Sequence, residues 1–133
     1  MSRIASTFAK GKAFIPYITA GDPDMATTLS VLKTLARSGA DMIELGIPFT
    51  DPVADGPTIQ KASERALKHP FRMESIFGLV KEFRSAGFET PVVLMSYANP
   101  VFVYGYEAFA NEAVASGIDV ALLTDLPPEE AED

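Results

Sequence analysis

The sequence predicts an α/β fold in which short buried strands, running parallel, alternate with amphipathic helices. Four short apolar runs, 13–19 (AFIPYIT), 42–46 (MIELG), 92–97 (VVLMSY) and 120–124 (VALLT), have the length of strands and too few polar residues to face water. Between them, apolar residues recur at helical spacing: Met25, Leu29, Leu32 and Ala36, then Met73, Ile76, Phe77, Val80 and Phe83, then Phe109, Ala113 and Val114. A weak internal repeat, SGADMIEL, SAGFETPVVL and SGIDVALL, sets Gly39, Gly87 and Gly117 a few residues before a strand. Glycine there ends a helix and turns the chain into the next strand, the joint of a parallel sheet built from right-handed crossovers.

Taken in chain order, Ile4 and Phe8 stand one turn apart and predict a short leading helix. Pro16 interrupts the donors of the first strand, because proline has no N–H to give to a ladder. The second and third strands are separated by a longer stretch than the other pairs. It holds the loop ELGIPFTDPVADGPT, 44–58, and a further helix over 59–67, with Pro57 placed for a first turn. Insertions after a strand end are where α/β folds carry function. The closing PPEEAED reads as the opening of another helix, with prolines and acids in its first turn. Residues 1–133 are therefore expected to form a single partial domain, a leading helix plus about four βα units with the last helix incomplete.

Composition narrows the function classes. With 47% hydrophobic residues in 133, the chain has material for a core. No apolar run approaches the roughly 18 residues of a membrane span, and no export signal is evident, so the cytoplasm is the expected location. Without cysteine there is no disulfide, thiolate ligand or thiol nucleophile. The lone His69, beside Pro70, reads as an exposed helix end and leaves little scope for a histidine-built metal site. A net charge of −7 disfavours nucleic acid as a partner, and no Gly-rich phosphate loop of either common type is present.

Strand side chains alternate between two faces, so the face carrying Glu44 fixes the rest by counting. Its companions are Met42 on the second strand, Ile15, Tyr17 and Thr19 on the first, Val93, Met95 and Tyr97 on the third, and Val120, Leu122 and Thr124 on the fourth. One acid and two tyrosines on an apolar surface at the strand ends describe a pocket for a flat apolar ligand. Desolvation there is expected to raise the pKa of Glu44, while Asp55, on a loop stiffened by Pro48, Pro52 and Pro57, stays ionised. Carboxyl groups pushed apart in this way suit a divided acid–base pair. Plainer alternatives stay open. Glu44 as the partner of a lysine or arginine is one, Asp55 as only the N-cap of the next helix another, and Tyr17 and Tyr97 as ordinary core aromatics a third. Asp51, before Pro52, reads as a turn residue, and Met95 and Leu122 are core under any reading.

Four phrases, FIPYITAGDP (14–23), ELGIPFTDPVADGPTIQ (44–60), VVLMSYANPV (92–101) and DLPPEE (125–130), resemble the alpha subunit family of tryptophan synthase in order and spacing. The resemblance covers essentially the whole chain and about the first half of that family's barrel. It implies the parallel (βα) half of a TIM (βα)8 barrel, completed by a missing second half or by self-association. The implied activity is retro-aldol cleavage of indole-3-glycerol phosphate to indole and glyceraldehyde 3-phosphate in tryptophan biosynthesis, without metal or organic cofactor. The family's acid/base glutamate falls on Glu44, and its aspartate, which accepts the indole N–H or stabilises the charge developing there, on Asp55. Its indole-contacting positions fall on Tyr17, Met95, Tyr97, Leu122 and Thr124, although a smaller or apolar residue is expected at 124. The implied partner is the beta subunit, which holds pyridoxal phosphate and touches the 44–58 loop. The family's phosphate site lies in the second half, outside these residues. Three other readings stand beside this one: a catalytically inactive half-barrel fragment, an oligomerising scaffold, and a stand-alone indole lyase.

Overall fold

The computed structural model describes residues 2–9 and 11–131; Met1, Lys10 and the last two acids of the closing segment, Glu132 and Asp133, lie outside them. Four parallel strands, β1 (Tyr17–Thr19), β2 (Ile43–Gly46), β3 (Val92–Ser96) and β4 (Val120–Leu123), form one sheet in sequential order. The helices are α1 (Arg3–Phe8), α2 (Met25–Arg37), α3 (Pro57–Ala66), α4 (Met73–Ser85), α5 (Ala98–Tyr104) and α6 (Tyr106–Ser116). Among the described residues, the closing segment makes a short 3-10 turn, Pro128–Glu130. Gly39, Gly87 and Gly117 follow or close α2, α4 and α6 with φ of 92°, 86° and 84°. This is the left-handed region a residue with a Cβ avoids, which explains the repeated glycine of the sequence.

The first strand is shorter than its apolar run, and Pro16 is the reason. Phe14 and Pro16 still lie beside β2 and accept from Asp41 N at 3.0 Å and Glu44 N at 2.9 Å. Pro16 has no donor to return, and the Phe14 amide goes to the Asp41 carboxylate at 2.8 Å. A second difference is α5, which the sequence reading did not foresee. Its Pro100 sits in the first turn, where a missing N–H costs nothing, and its leading amide, Ala98 N, donates to Asp125 Oδ1 at 2.7 Å.

The core lies between the sheet and the helices. Ile43, Leu45, Val92 and Leu94 project to that side and are fully buried against Leu32 of α2 and Ile76, Val80 and Phe83 of α4. Each such side chain contributes about 1.5–3 kcal/mol on leaving water, so this layer, and not the opposite face, holds the sheet in place. Phe77 links α4 to α5 and α6, with edge-to-face contacts to Tyr104 and Phe109, each at 5.7 Å between centroids. Phe109 and Ala113 face inward as their spacing predicts, but Val114, a further 100° around α6, is 78% exposed.

At the amino ends of the strands, Asp119 gathers three elements. Its carboxylate accepts from Arg3 Nε at 2.7 Å, Arg84 Nη2 at 2.9 Å and Val92 N at 2.9 Å. Arg84 also donates to the carbonyls of Phe88, Thr90 and Gly117. The opposite, carboxyl, ends of the strands are thereby left to the long loops.

Candidate functional site

Strand register decides which side chains share the uncovered face. Tyr17 lies abreast of Glu44, Glu44 of Val93 and Val93 of Val120; one step on, Thr19, Gly46, Met95 and Leu122 form the next row. The first row and the second differ by two residues on every strand, so both project to the same side, away from the helices. None of Glu44, Val93 or Met95 belongs to the core packed against the helices. The face bears one carboxylate on a largely apolar floor.

Glu44 is partly exposed, and among the described residues its side chain makes no hydrogen bond or ion pair. The alternative in which it serves a lysine or arginine is not realised there. Asp55 is not a helix cap either: the N-cap of α3 is Gly56, with no side-chain bond. The backbone of Asp55 is engaged instead, its N donating to Pro52 O at 3.1 Å and its O accepting from Gln60 Nε2 at 2.8 Å. Asp51 does turn the chain, its carbonyl accepting from Val53 N at 2.9 Å.

The two tyrosines differ. Tyr17 stays partly exposed and spreads its ring over Gly46, its hydroxyl 3.1 Å from Thr19 Oγ1. Burial pushes its pKa above the usual tyrosine range, and the charges of Asp55 and Glu44 add to the effect, so Tyr17 senses both acids. Tyr97 was expected at a strand end; it is the N-cap residue of α5, directly after β3, and only 4% exposed. Its hydroxyl accepts from Ala54 N at 2.9 Å, and its ring meets Phe49 at 5.3 Å between centroids. Burial again raises its pKa, with the charge of Asp55 adding to the shift.

On the edge strand β4, Leu122 is 39% exposed. Thr124 falls just beyond the strand, exposed, with its hydroxyl donating to Ser96 O at 3.3 Å. A groove of about 550 Å³ lies between the loop residues Phe49, Pro52 and Val53 and the Leu67 end of α3, and its lining includes neither Glu44 nor Asp55. Among the described residues no three His, Cys, Asp or Glu side chains converge as a metal site.

The sequence model of the family described as tryptophan synthase alpha chain matches residues 5–133. The chain belongs to that family. A tryptophan synthase alpha chain of Thioalkalivibrio sulfidiphilus is 54% identical, over 100% of this chain and 52% of its own length. One from Dechloromonas aromatica is 56% identical over 98% of this chain and 51% of the relative. The crystal structure of tryptophan synthase subunit alpha from Legionella pneumophila superposes with a TM-score of 0.93 at 50% identity, covering 99% of this chain and 52% of that one. The chain thus spans about half the length of the relatives it matches, and its sheet is the parallel (βα) half of a TIM barrel.

Two features of this face and its loop are not legible in the sequence. Gly46 stands two residues after Glu44, on the same face by the same alternation, but a missing side chain gives no signal until its neighbour is known. The Tyr97–Ala54 bond joins residues 43 apart in sequence, and no local pattern reports it.

Proposed function

We propose that this chain supplies the acid–base half of a tryptophan synthase alpha chain that cleaves indole-3-glycerol phosphate to indole and glyceraldehyde 3-phosphate. The observation that carries the reading is Glu44: a carboxyl group unpaired among the described residues, on an apolar face at the carboxyl ends of parallel strands, where barrels of this kind work. The glycerol side chain leaves the indole when ring carbon C3 gains a proton, the carbon–carbon bond breaks towards the ring and the neighbouring hydroxyl loses its proton to become the aldehyde. One proton is given and one taken, so a single carboxyl group at Glu44 serves both transfers. Asp55, carried by the loop, accepts the indole N–H and stabilises the positive charge that appears on the nitrogen when C3 is protonated. Tyr17, Met95, Tyr97, Leu122 and Thr124 border the indole.

No organic cofactor or metal enters these steps. The partner is the beta subunit, which would use its pyridoxal phosphate to join the released indole to serine; one solved relative is described as a tryptophan synthase a2b2 complex from Pyrococcus furiosus. Mixing the chain with the complementary half of a relative and assaying indole release tests the reading. Glu44→Gln is expected to lower the rate by about 10²–10⁴-fold. A rate indifferent to that substitution ends the assignment.

A second reading, self-association, draws on the unpaired edges of β1 and β4 and on the exposure of Leu122. Mass in solution separates the two. A dimer that persists when the complementary half is added favours the scaffold, and a heterodimer favours the lyase.

A further inference from the structure

We infer that Tyr97 is a positioning residue, a latch whose hydroxyl holds the loop, and with it Asp55, against the inner face. This rests on the reading of Asp55 as the partner of the indole N–H. The loop is fixed within itself by Val53 N on Asp51 O and Asp55 N on Pro52 O, and to the helix that follows it by Gln60 on the Asp55 carbonyl. Over residues 51–55, the described hydrogen bond that reaches back to the sheet side of the fold is Ala54 N to the Tyr97 hydroxyl, 2.9 Å long. Ala54 is the residue immediately before Asp55, so the bond sets the height of the aspartate over the face.

The geometry also explains why a tyrosine serves. The ring is 4% exposed and braced by Phe49, which restricts its swing. A buried phenol must find a partner, and here the partner is a loop amide. By accepting from Ala54 the oxygen keeps its own hydrogen free to donate. The charge of Asp55 bears on that hydroxyl, and burial keeps the proton in place. One phenol therefore holds the loop backbone at the residue next to the carboxylate the loop carries. This role is exercised through the loop and stands beside the expected place of the ring at the indole.

Tyr97→Phe keeps the ring and removes the oxygen. In this chain, amide exchange at Ala54 is expected to quicken by about tenfold, the worth of one hydrogen bond, while Leu94 in the sheet is unchanged. In the chain completed by a relative's second half, kcat is expected to fall by about tenfold or more with KM within about twofold, since a displaced catalytic group slows the reaction more than it weakens binding. Unchanged exchange at Ala54 overturns the latch, as does a KM that rises while kcat holds, the behaviour of a plain substrate contact. If Ala54 loosens and Glu44→Gln leaves indole release intact, the latch stands and the lyase reading falls.

Discussion

Tyr17 rests on Gly46: a Cβ built at position 46 meets the Tyr17 hydroxyl outright and comes within 2.7 Å of Cζ and 2.8 Å of Cε2. Real side chains do not approach so closely, so the ring occupies the space a side chain at 46 would need. Gly46→Ala must push Tyr17 off the floor and break its contact with Thr19. The expected cost is about 1–3 kcal/mol, the usual penalty for crowding a packed site. Denaturant unfolding of the single variants and the Gly46→Ala/Tyr17→Ala pair measures it. The pair is expected to lose less than the two singles added together, since removing the ring removes the clash; strict additivity contradicts the contact.

Asp119 is the keystone of the other end of the strands. Its side chain is 9% exposed and Arg84's is 13%. Asp119→Ala leaves a largely buried guanidinium without its carboxylate and the Val92 amide without its acceptor, and removal of one partner from such a pair costs about 3–5 kcal/mol. Asp119→Asn keeps an acceptor for Val92 N and is expected to lose clearly less. Thermal or urea unfolding ranks the two, and equal losses contradict the shared role of this carboxylate.

Legibility in the sequence followed the range of the interaction. Alternation along single strands placed Tyr17, Glu44, Val93 and Val120 on one face, because side-chain direction is a local property and the register of neighbouring strands kept it. The glycines at 39, 87 and 117 were legible for the same reason. By contrast α5 carries a proline and two valines in seven residues, poor helix material, and begins with an amide satisfied by Asp125 from 27 positions away. Whether Asp55 caps α3 was undecidable from spacing, since Asp55 and Gly56 both suit an N-cap, and the backbone chose Gly56. Counting gives the face of Tyr97, whereas the loop that bends over to meet its hydroxyl is set by tertiary packing.

Helix α2 should respond to acid through its cap. Asp24 accepts from Thr27 N at 2.7 Å and Thr27 Oγ1 at 3.0 Å, and these bonds hold its pKa below the ordinary 3.8, the backbone bond foremost. The folded chain binds that proton less readily than the unfolded one, so the contribution is present above the ordinary carboxylate pKa and disappears as pH falls through the lowered value. Asp24→Ala is expected to unfold earlier than the parent at neutral pH, and the gap should close as acid protonates the cap. A gap independent of pH would show that charge plays no part in it.

Alkali should act in the reverse sense on the site itself. Tyr17 and Tyr97 both have pKa values raised above the ordinary 10.0, chiefly by burial, with the Asp55 charge opposing a second negative charge beside it. Their protons are held more tightly in the folded chain than in the unfolded one. The stability this confers is fully present below about pH 10 and is lost as pH rises through the raised values. Unfolding midpoints measured across that range should therefore fall, with tyrosinate absorbance appearing late and together with loss of structure. Tyr97→Phe removes one of these groups and is expected to flatten the decline. Equal slopes in the parent and Tyr97→Phe would mean that the phenol titrates as freely in the fold as in the unfolded chain, which its enclosure between Phe49 and the Ala54 amide forbids.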